Sequence, residues 1–487
     1  MVFSSVEFLF MLFPGTLALY FLLSRLPDKM KALRDPALNA LLVCASLLFY
    51  AWGEPVLLIL LLTSVFANWL LGLGIARGKG RKLMLAAAVV LNIGLLGVFK
   101  YAGFATEVVN ALTGLSLPVP QIALPIGISF YTFQALSYVI DVYRDPALVQ
   151  KNGFCLLLYI SFFPQLIAGP IVRYGDIAAQ LQSRTLTLDG ALAGFRRLFV
   201  GLGKKILIAD ELAVLVNVCF TDAAAHRLPA GFAWLGAVAY LLQIYFDFSG
   251  YSDMAIGMGR IFGFQFPENF NYPYASLGIK DFWRRWHITL STWFREYLYI
   301  PLGGNRKGKK RMLLNQLIVF FCTGLWHGAN MTFVVWGLYN GLFLILESND
   351  ILPVRRVKST IGKILVRIYT LLIVTVGFVI FRADNLTQAN AYLGSMFSFG
   401  GNGFAWGDSS AWREILPCLT PYFFTILGVA AIGAAPIIPA LKGWCDRRPR
   451  LNAVAQRLSY LWALVLLTLC AMSLAAGTYS AFIYFQF

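Results

Sequence analysis

Apolar runs of about 20 residues recur along this chain, at 6–24, 37–53, 55–76, 83–103, 121–142, 153–172, 195–219, 230–250, 312–328, 330–347, 361–381, 418–440 and 459–484. A chain crossing hydrocarbon must satisfy its own backbone N–H and C=O groups, so runs of this length restrict it to helices. The expected fold class is an all-α polytopic membrane protein. Charged residues are 13% of the 487 positions and hydrophobic ones 59%, about half the charged share of a soluble protein. No internal repeat, low-complexity tract or long linker interrupts the series, which favours a single polytopic domain over 1–487.

The net charge of +17 would suit a phosphate backbone, but its distribution argues against nucleic acid. Basic residues gather at the ends of apolar runs, as in Arg25/Lys29/Lys31/Arg34, Arg306/Lys307/Lys309/Lys310/Arg311 and Arg355/Arg356/Lys358. That pattern marks cytoplasmic loops. The first run then starts outside, which predicts an extracytoplasmic N-terminus, and no basic region precedes it, so it reads as a retained span. Counting crossings requires one of 121–142 and 153–172 to be re-entrant, and Pro164, Gly169 and Pro170 favour the second. The seven cysteines lack paired spacing and suggest neither disulfides nor a metal site.

Two regions break the alternation of spans and short loops. The stretch 383–417, rich in glycine and aromatic residues, is expected to be an extracytoplasmic loop. The stretch 251–311 is expected to be a cytoplasmic-side interfacial or re-entrant helical segment. Within it, Phe282, Trp286, Leu290, Trp293 and Tyr297 form one stripe at helical spacing, and Trp283, His287, Ser291 and Phe294 an adjacent one. Arg284, Arg285, Arg295 and Glu296 supply polar edges. A single amphipathic helix over 280–298 is the reading, carrying His287 toward the membrane interior.

His327, one of three histidines, lies inside an apolar stretch that runs from Met312 to Leu346. The stretch is long enough for two short limbs, so its turn is expected at His327-Gly328-Ala329-Asn330, with His327 in a polar cavity inside the bundle. Burial favours the neutral imidazole, which a general base requires. Transfer of an acyl group from a thioester to an alcohol uses such a base, with His287 or Asn330 as a positioning or relay group. The plainer reading is a histidine that bonds a neighbouring helix, and for His287 an interfacial anchor. His226 reads as an outer-loop surface residue. Lys204 and Lys205 suit either donor phosphates or boundary anchoring, and Asp247 and Asp253 read as carboxylates ending a span.

Several stretches resemble the membrane-bound O-acyltransferase (MBOAT) family, and within it the bacterial alginate O-acetyltransferase subgroup. They are Met1-Val2-Phe3-Ser4-Ser5, Ile128-Ser129-Phe130-Tyr131-Thr132-Phe133-Gln134, Pro164-Gln165-Leu166-Ile167-Ala168-Gly169-Pro170, Asp281-Phe282-Trp283-Arg284-Arg285-Trp286-His287, Tyr299-Ile300-Pro301-Leu302-Gly303-Gly304-Asn305-Arg306 and Leu325-Trp326-His327-Gly328. The resemblance implies a bundle of about 11–13 transmembrane and re-entrant helices around a central tunnel. It implies His327 as the catalytic histidine and His287 as the second, with Trp326, Asn330, Asp281, Arg284 and Arg285 as supporting or donor-binding candidates. No bound cofactor or metal is implied. Acetyl would come from a cytosolic donor, most simply acetyl-CoA, and pass across a bacterial inner membrane toward an extracytoplasmic acceptor protein and a polysaccharide. A D-alanyl transferase of cell-wall polymers and a transporter or flippase are the competing readings. Whether His327 acts as base or as nucleophile stays open.

Overall fold

The computed structural model describes residues 3–226, 228–398, 413–477 and 482–483; among them the regular structure is entirely helical, as the apolar runs require. Among the described residues, seven helices are long and apolar enough to cross a membrane: Lys31–Ala51, Leu58–Ala76, Arg81–Thr113, Ala230–Ile261, Met331–Ser348, Thr360–Arg382 and Pro449–Ala475. The pair Pro421–Ala434 and Ile437–Asp446, bent by 58°, makes an eighth if read as one broken span. The chain is a multi-pass membrane protein. By its internal contacts it divides into two compact units, Met1–Leu198 with Tyr251–Glu268, and Phe199–Gly250 with Asn269–Phe487.

The first unit holds α1 (Phe13–Ser24), α2 (Lys31–Ala51), α3 (Leu58–Ala76), α4 (Arg81–Thr113), α5 (Ile128–Arg144), α6 (Gly153–Ser161), α7 (Phe163–Leu166) and α8 (Tyr174–Gln182). Buried polar groups join these helices where lipid offers no partner. Asn92 on α4 donates to Asn68 on α3 at 2.7 Å. Arg184 donates to the Tyr20 hydroxyl at 3.0 Å and to Asn39 Oδ1 at 2.6 Å. The 9-residue α6 is roughly 14 Å long at 1.5 Å per residue, too short to span, and it breaks at Phe162 before α7.

Helix α9 (Leu188–Gly203) leads into the second unit, which continues with α10 (Asp210–His226), α11 (Ala230–Ile261, its residues from Tyr251 on belonging to the first unit), α12 (Ile279–Phe282), α13 (Ile288–Phe294), α14 (Lys309–His327), α15 (Met331–Ser348), α16 (Thr360–Arg382), α17 (Leu386–Met396), α18 (Pro421–Ala434), α19 (Ile437–Asp446) and α20 (Pro449–Ala475). Helix α11 runs through Asp247 and Asp253 and stops at Ile261. The two aspartates therefore lie inside a continuous helix, and each carboxylate is neutralised: Asp247 by Lys205 at 2.7 Å, Asp253 by Arg197 at 2.9 Å. Residues 399–412 of the expected loop 383–417 lie outside the described residues, and its first part contains α17.

Helices α14 and α15 form a tight hairpin. A Cβ on Gly324 would meet the Phe333 carbonyl oxygen at 2.3 Å, and one on Gly337 the Phe320 carbonyl oxygen at 2.4 Å. Small residues facing each other let the two backbones approach, which is the packing membrane helices use in place of a hydrophobic drive. The turn falls at Gly328–Asn330, where the sequence places it. His327 is the last residue of α14.

Candidate active site

The chain reaches His287 through a pinned, irregular path. Asn271 N donates to Arg285 O, and Ile288 N donates to Asn269 O, both at 2.9 Å, so the loop at 269–271 is bonded to 285–288. His287 sits between α12 and α13 with a φ of 45°. That left-handed conformation is costly for a side chain bearing a Cβ, and it persists where surrounding contacts over-determine it. The single helix expected over 280–298 is therefore broken at His287: backbone bonds to 269–271 compete with the helical ladder and win. The predicted stripe is still buried, with Phe282, Trp286, Leu290, Trp293 and Tyr297 all in the core, because the break restarts the helix without changing its inward side.

His287 is fully buried and His327 is 4% exposed. Their ring centroids lie 6.4 Å apart. A single hydroxyl making hydrogen bonds of roughly 2.8 Å can reach two rings at that separation. Trp326 contacts both, at 5.0 Å from His327 and 5.9 Å from His287. Trp336 and Phe381 meet His327 edge to face at 5.0 and 5.2 Å, and Phe248 meets His287 at 4.7 Å. The polar cavity expected around His327 is thus an aromatic enclosure, since α15 and α16 fill the space beside the hairpin turn with rings. Burial pushes the His287 imidazole down to about 3, which keeps it neutral.

Beside this pair lies a cavity of about 680 Å³ whose lining includes Lys280, Trp283, Arg284, Arg295, Phe320 and Thr323, within the usual range for ligand pockets. Thr323 stands one helical turn before His327 on α14. Trp283 is a shared wall, packing on Trp336 at 5.7 Å, which in turn touches His327.

The other candidates divide. Arg284 lines the cavity. Asp281 and Arg285 do not: they pair with each other at 3.1 Å, and Asp281 also accepts from Leu277 N. Asn330 caps α15 through Thr332 N and donates to Asp384 O at 2.7 Å, so its polar atoms serve the turn. Lys205 is held between Asp210 and Asp247, each at 2.7 Å, and is 1% exposed; its burial removes it as a phosphate contact. The side chain of His226 lies outside the described residues.

Two residues that sequence reasoning passed over matter here. Asn269 is fully buried and lies 3.1 Å from His287 Nδ1; its signal was an asparagine in a Pro-, Asn- and Tyr-rich loop. Glu347, the one carboxylate closing the apolar stretch after Leu346, bonds the backbone of Ile279 and Lys280. No cluster of three or more His, Cys, Asp or Glu able to hold a metal occurs among the described residues.

Known proteins resemble the chain over the same parts. Residues 151–377 match the membrane-bound O-acyltransferase family model. A protein named probable alginate O-acetylase AlgI from Pseudomonas putida is 41% identical over all of both chains. A peptidoglycan O-acetyltransferase from Helicobacter pylori is 37% identical over 74% of each. A teichoic acid D-alanyltransferase from Bacillus subtilis is 30% identical over 45% of this chain and 58% of its own. With a full-length relative at this identity, and with its paired histidines on a buried hairpin turn and the segment facing it, the chain belongs to the membrane-bound O-acyltransferase family and is an O-acyltransferase.

Proposed function

We propose that this chain is the membrane acetyltransferase of an exopolysaccharide O-acetylation system of alginate type, placed in a bacterial inner membrane with its N-terminus outside. The observation that carries the reading is the histidine pair, two buried imidazoles 6.4 Å apart beside a cavity with a cationic rim. Full-length likeness to proteins named as alginate O-acetylases supports the choice of acyl group and polymer. Likeness to D-alanyltransferases covers less than half of the chain, and family membership favours an enzyme over a transporter.

Acetyl-CoA is the proposed donor. Lys280, Arg284 and Arg295 line the cavity and would meet the donor's phosphates as point charges or planar forks. The thioester carbonyl would lie beyond Trp283, at the histidines. A hydroxyl on an extracytoplasmic acceptor protein, or on the polymer, enters from the other side. His327 takes the hydroxyl proton while the oxygen attacks the carbonyl carbon; the C–O bond forms, the C–S bond breaks, and the proton passes to the departing thiolate. His287 orients the hydroxyl. An aromatic enclosure excludes the water that would otherwise hydrolyse the thioester.

Membranes carrying the chain, supplied with radiolabelled acetyl-CoA, test this directly. His327→Ala and His327→Gln are expected to lower transfer by about 10²–10⁴-fold at unchanged membrane levels. His287→Ala should give a partial to severe loss, and Arg284→Ala a raised KM for the donor. Wild-type transfer by His327→Ala overturns the assignment, and flux of an intact solute without transfer favours a transporter. Offering alginate and peptidoglycan as acceptors separates the two polymers named for the acetylating relatives.

A further inference from the structure

The side-chain oxygen of Asn269 collects three contacts. It accepts from Thr289 N at 3.3 Å and from Thr289 Oγ1 at 2.9 Å, and it lies 3.1 Å from His287 Nδ1. A backbone N–H only donates, so the Asn269 atom that faces Thr289 N is the amide oxygen and not the amide nitrogen. An amide oxygen only accepts. Its contact with His287 is a hydrogen bond when the proton of the neutral ring sits on Nδ1.

We propose that Asn269 is a positioning residue that holds His287 as the Nδ1–H tautomer, which makes Nε2 the lone-pair nitrogen of that ring. The backbone reinforces the side chain: Ile288 N donates to Asn269 O at 2.9 Å, so the same residue stabilises both the ring and the left-handed turn that carries it. The consequence for chemistry rests on the function proposed above. With its lone pair on Nε2, His287 can orient the hydroxyl only by accepting its single O–H before that proton turns to His327. It does not donate to the thioester carbonyl, and stabilising the developing oxyanion falls to other groups.

Because the chain has three histidines, nitrogen-15 magnetic resonance of histidine-labelled protein in lipid bilayers resolves the tautomer directly. His287→Ala assigns the signal by its disappearance. At neutral pH the wild-type ring should show a protonated Nδ1 and an unprotonated Nε2, as should Asn269→Asp, which keeps an acceptor oxygen. Asn269→Leu should shift the ring toward Nε2–H. The same substitution should lower kcat by about 10–100-fold, the usual effect of losing a residue that orients a histidine ligand or base, with KM for the donor unchanged and Asn269→Asp the milder variant. A wild-type ring protonated on Nε2, or an Asn269→Leu spectrum identical to wild type, overturns the proposal. The wild-type spectrum stands without any substitution, so a variant that fails to fold does not remove the test. Full activity in His287→Ala would instead sink the catalytic reading of His287 and leave the tautomer assignment in place.

Discussion

Glu347, at the end of α15, accepts hydrogen bonds from the backbone of Ile279 at 2.6 Å and of Lys280 at 3.0 Å. Thr370 on α16 does the same for Gly278 N at 2.9 Å. The hairpin that carries His327 is thereby tied to the chain just ahead of His287. The separation of the two imidazoles depends on this polar tie as well as on the rings between them.

Glu347→Ala strands the buried N–H of Ile279, at about 1–3 kcal/mol, and the part-buried N–H of Lys280. Its melting temperature should fall clearly, and transfer should fall with it. Glu347→Gln keeps one acceptor oxygen and should lie between. Thermal unfolding of the purified protein checks the first effect and donor labelling the second; an Ala variant that melts and transfers like wild type would show that the tie is dispensable.

Close approach of α14 and α15 gives a second prediction. Alanine at Gly324 or Gly337 places a methyl 2.3–2.4 Å from a backbone carbonyl oxygen, an approach no side-chain rotation relieves. The helices must separate, moving His327 away from Trp336 and His287, so both substitutions should destabilise the protein and abolish most transfer with every catalytic side chain intact. Gly428→Ala on α18, where the added methyl meets nothing within 4 Å, is the matched control and should be silent.

Helical architecture and the hairpin turn at His327 were legible because hydrocarbon leaves backbone few choices, so length and hydropathy carry most of the information. The break at His287 was not. Its cause is a pair of backbone hydrogen bonds to 269–271, which leave no trace in a periodic pattern and even preserve the buried stripe on either side. The ion pairs of Asp247 and Asp253 were hidden for a related reason: their partners, Lys205 and Arg197, lie distant in sequence. Arg284 was picked from a motif that also contains Arg285, yet one lines the cavity while the other pairs with Asp281, a division set by the direction of successive side chains just before the break.

Lys205 carries a third prediction. Lys205→Ala leaves Asp210 and Asp247 buried without their cation, a loss expected to cost about 3–5 kcal/mol and to show as poor membrane yield and early melting. Asp247 also accepts from Ile483 N at 3.0 Å, so the same change loosens the hold on the C-terminal residues. Replacing all three by neutral residues of similar size, Lys205→Met with Asp210→Asn and Asp247→Asn, should recover much of the lost stability, since removing a whole buried ion set is far cheaper than breaking it. If the single and triple variants melt alike, the charges are not what holds this part of the bundle.

The depressed His287 imidazole ties stability to pH with a definite sign. Its folded value, lowered by burial to about 3, lies below the value of about 6.5 for an unfolded chain. Between those limits the unfolded state binds a proton that the folded state does not. The stability contributed by this difference is therefore fully present above about pH 6.5 and is lost as pH falls toward the folded value. In melting scans from about pH 7.5 down to about pH 4.5, His287→Gln, which cannot titrate, should show a shallower loss than wild type, the gap widening as acid is added. Catalysis follows the same logic: His287 stays neutral across this range, so an acidic limb in the rate profile should survive in any active His287 variant. Parallel melting curves for wild type and His287→Gln would mean that the ring is reached by water in the folded protein, contrary to its burial.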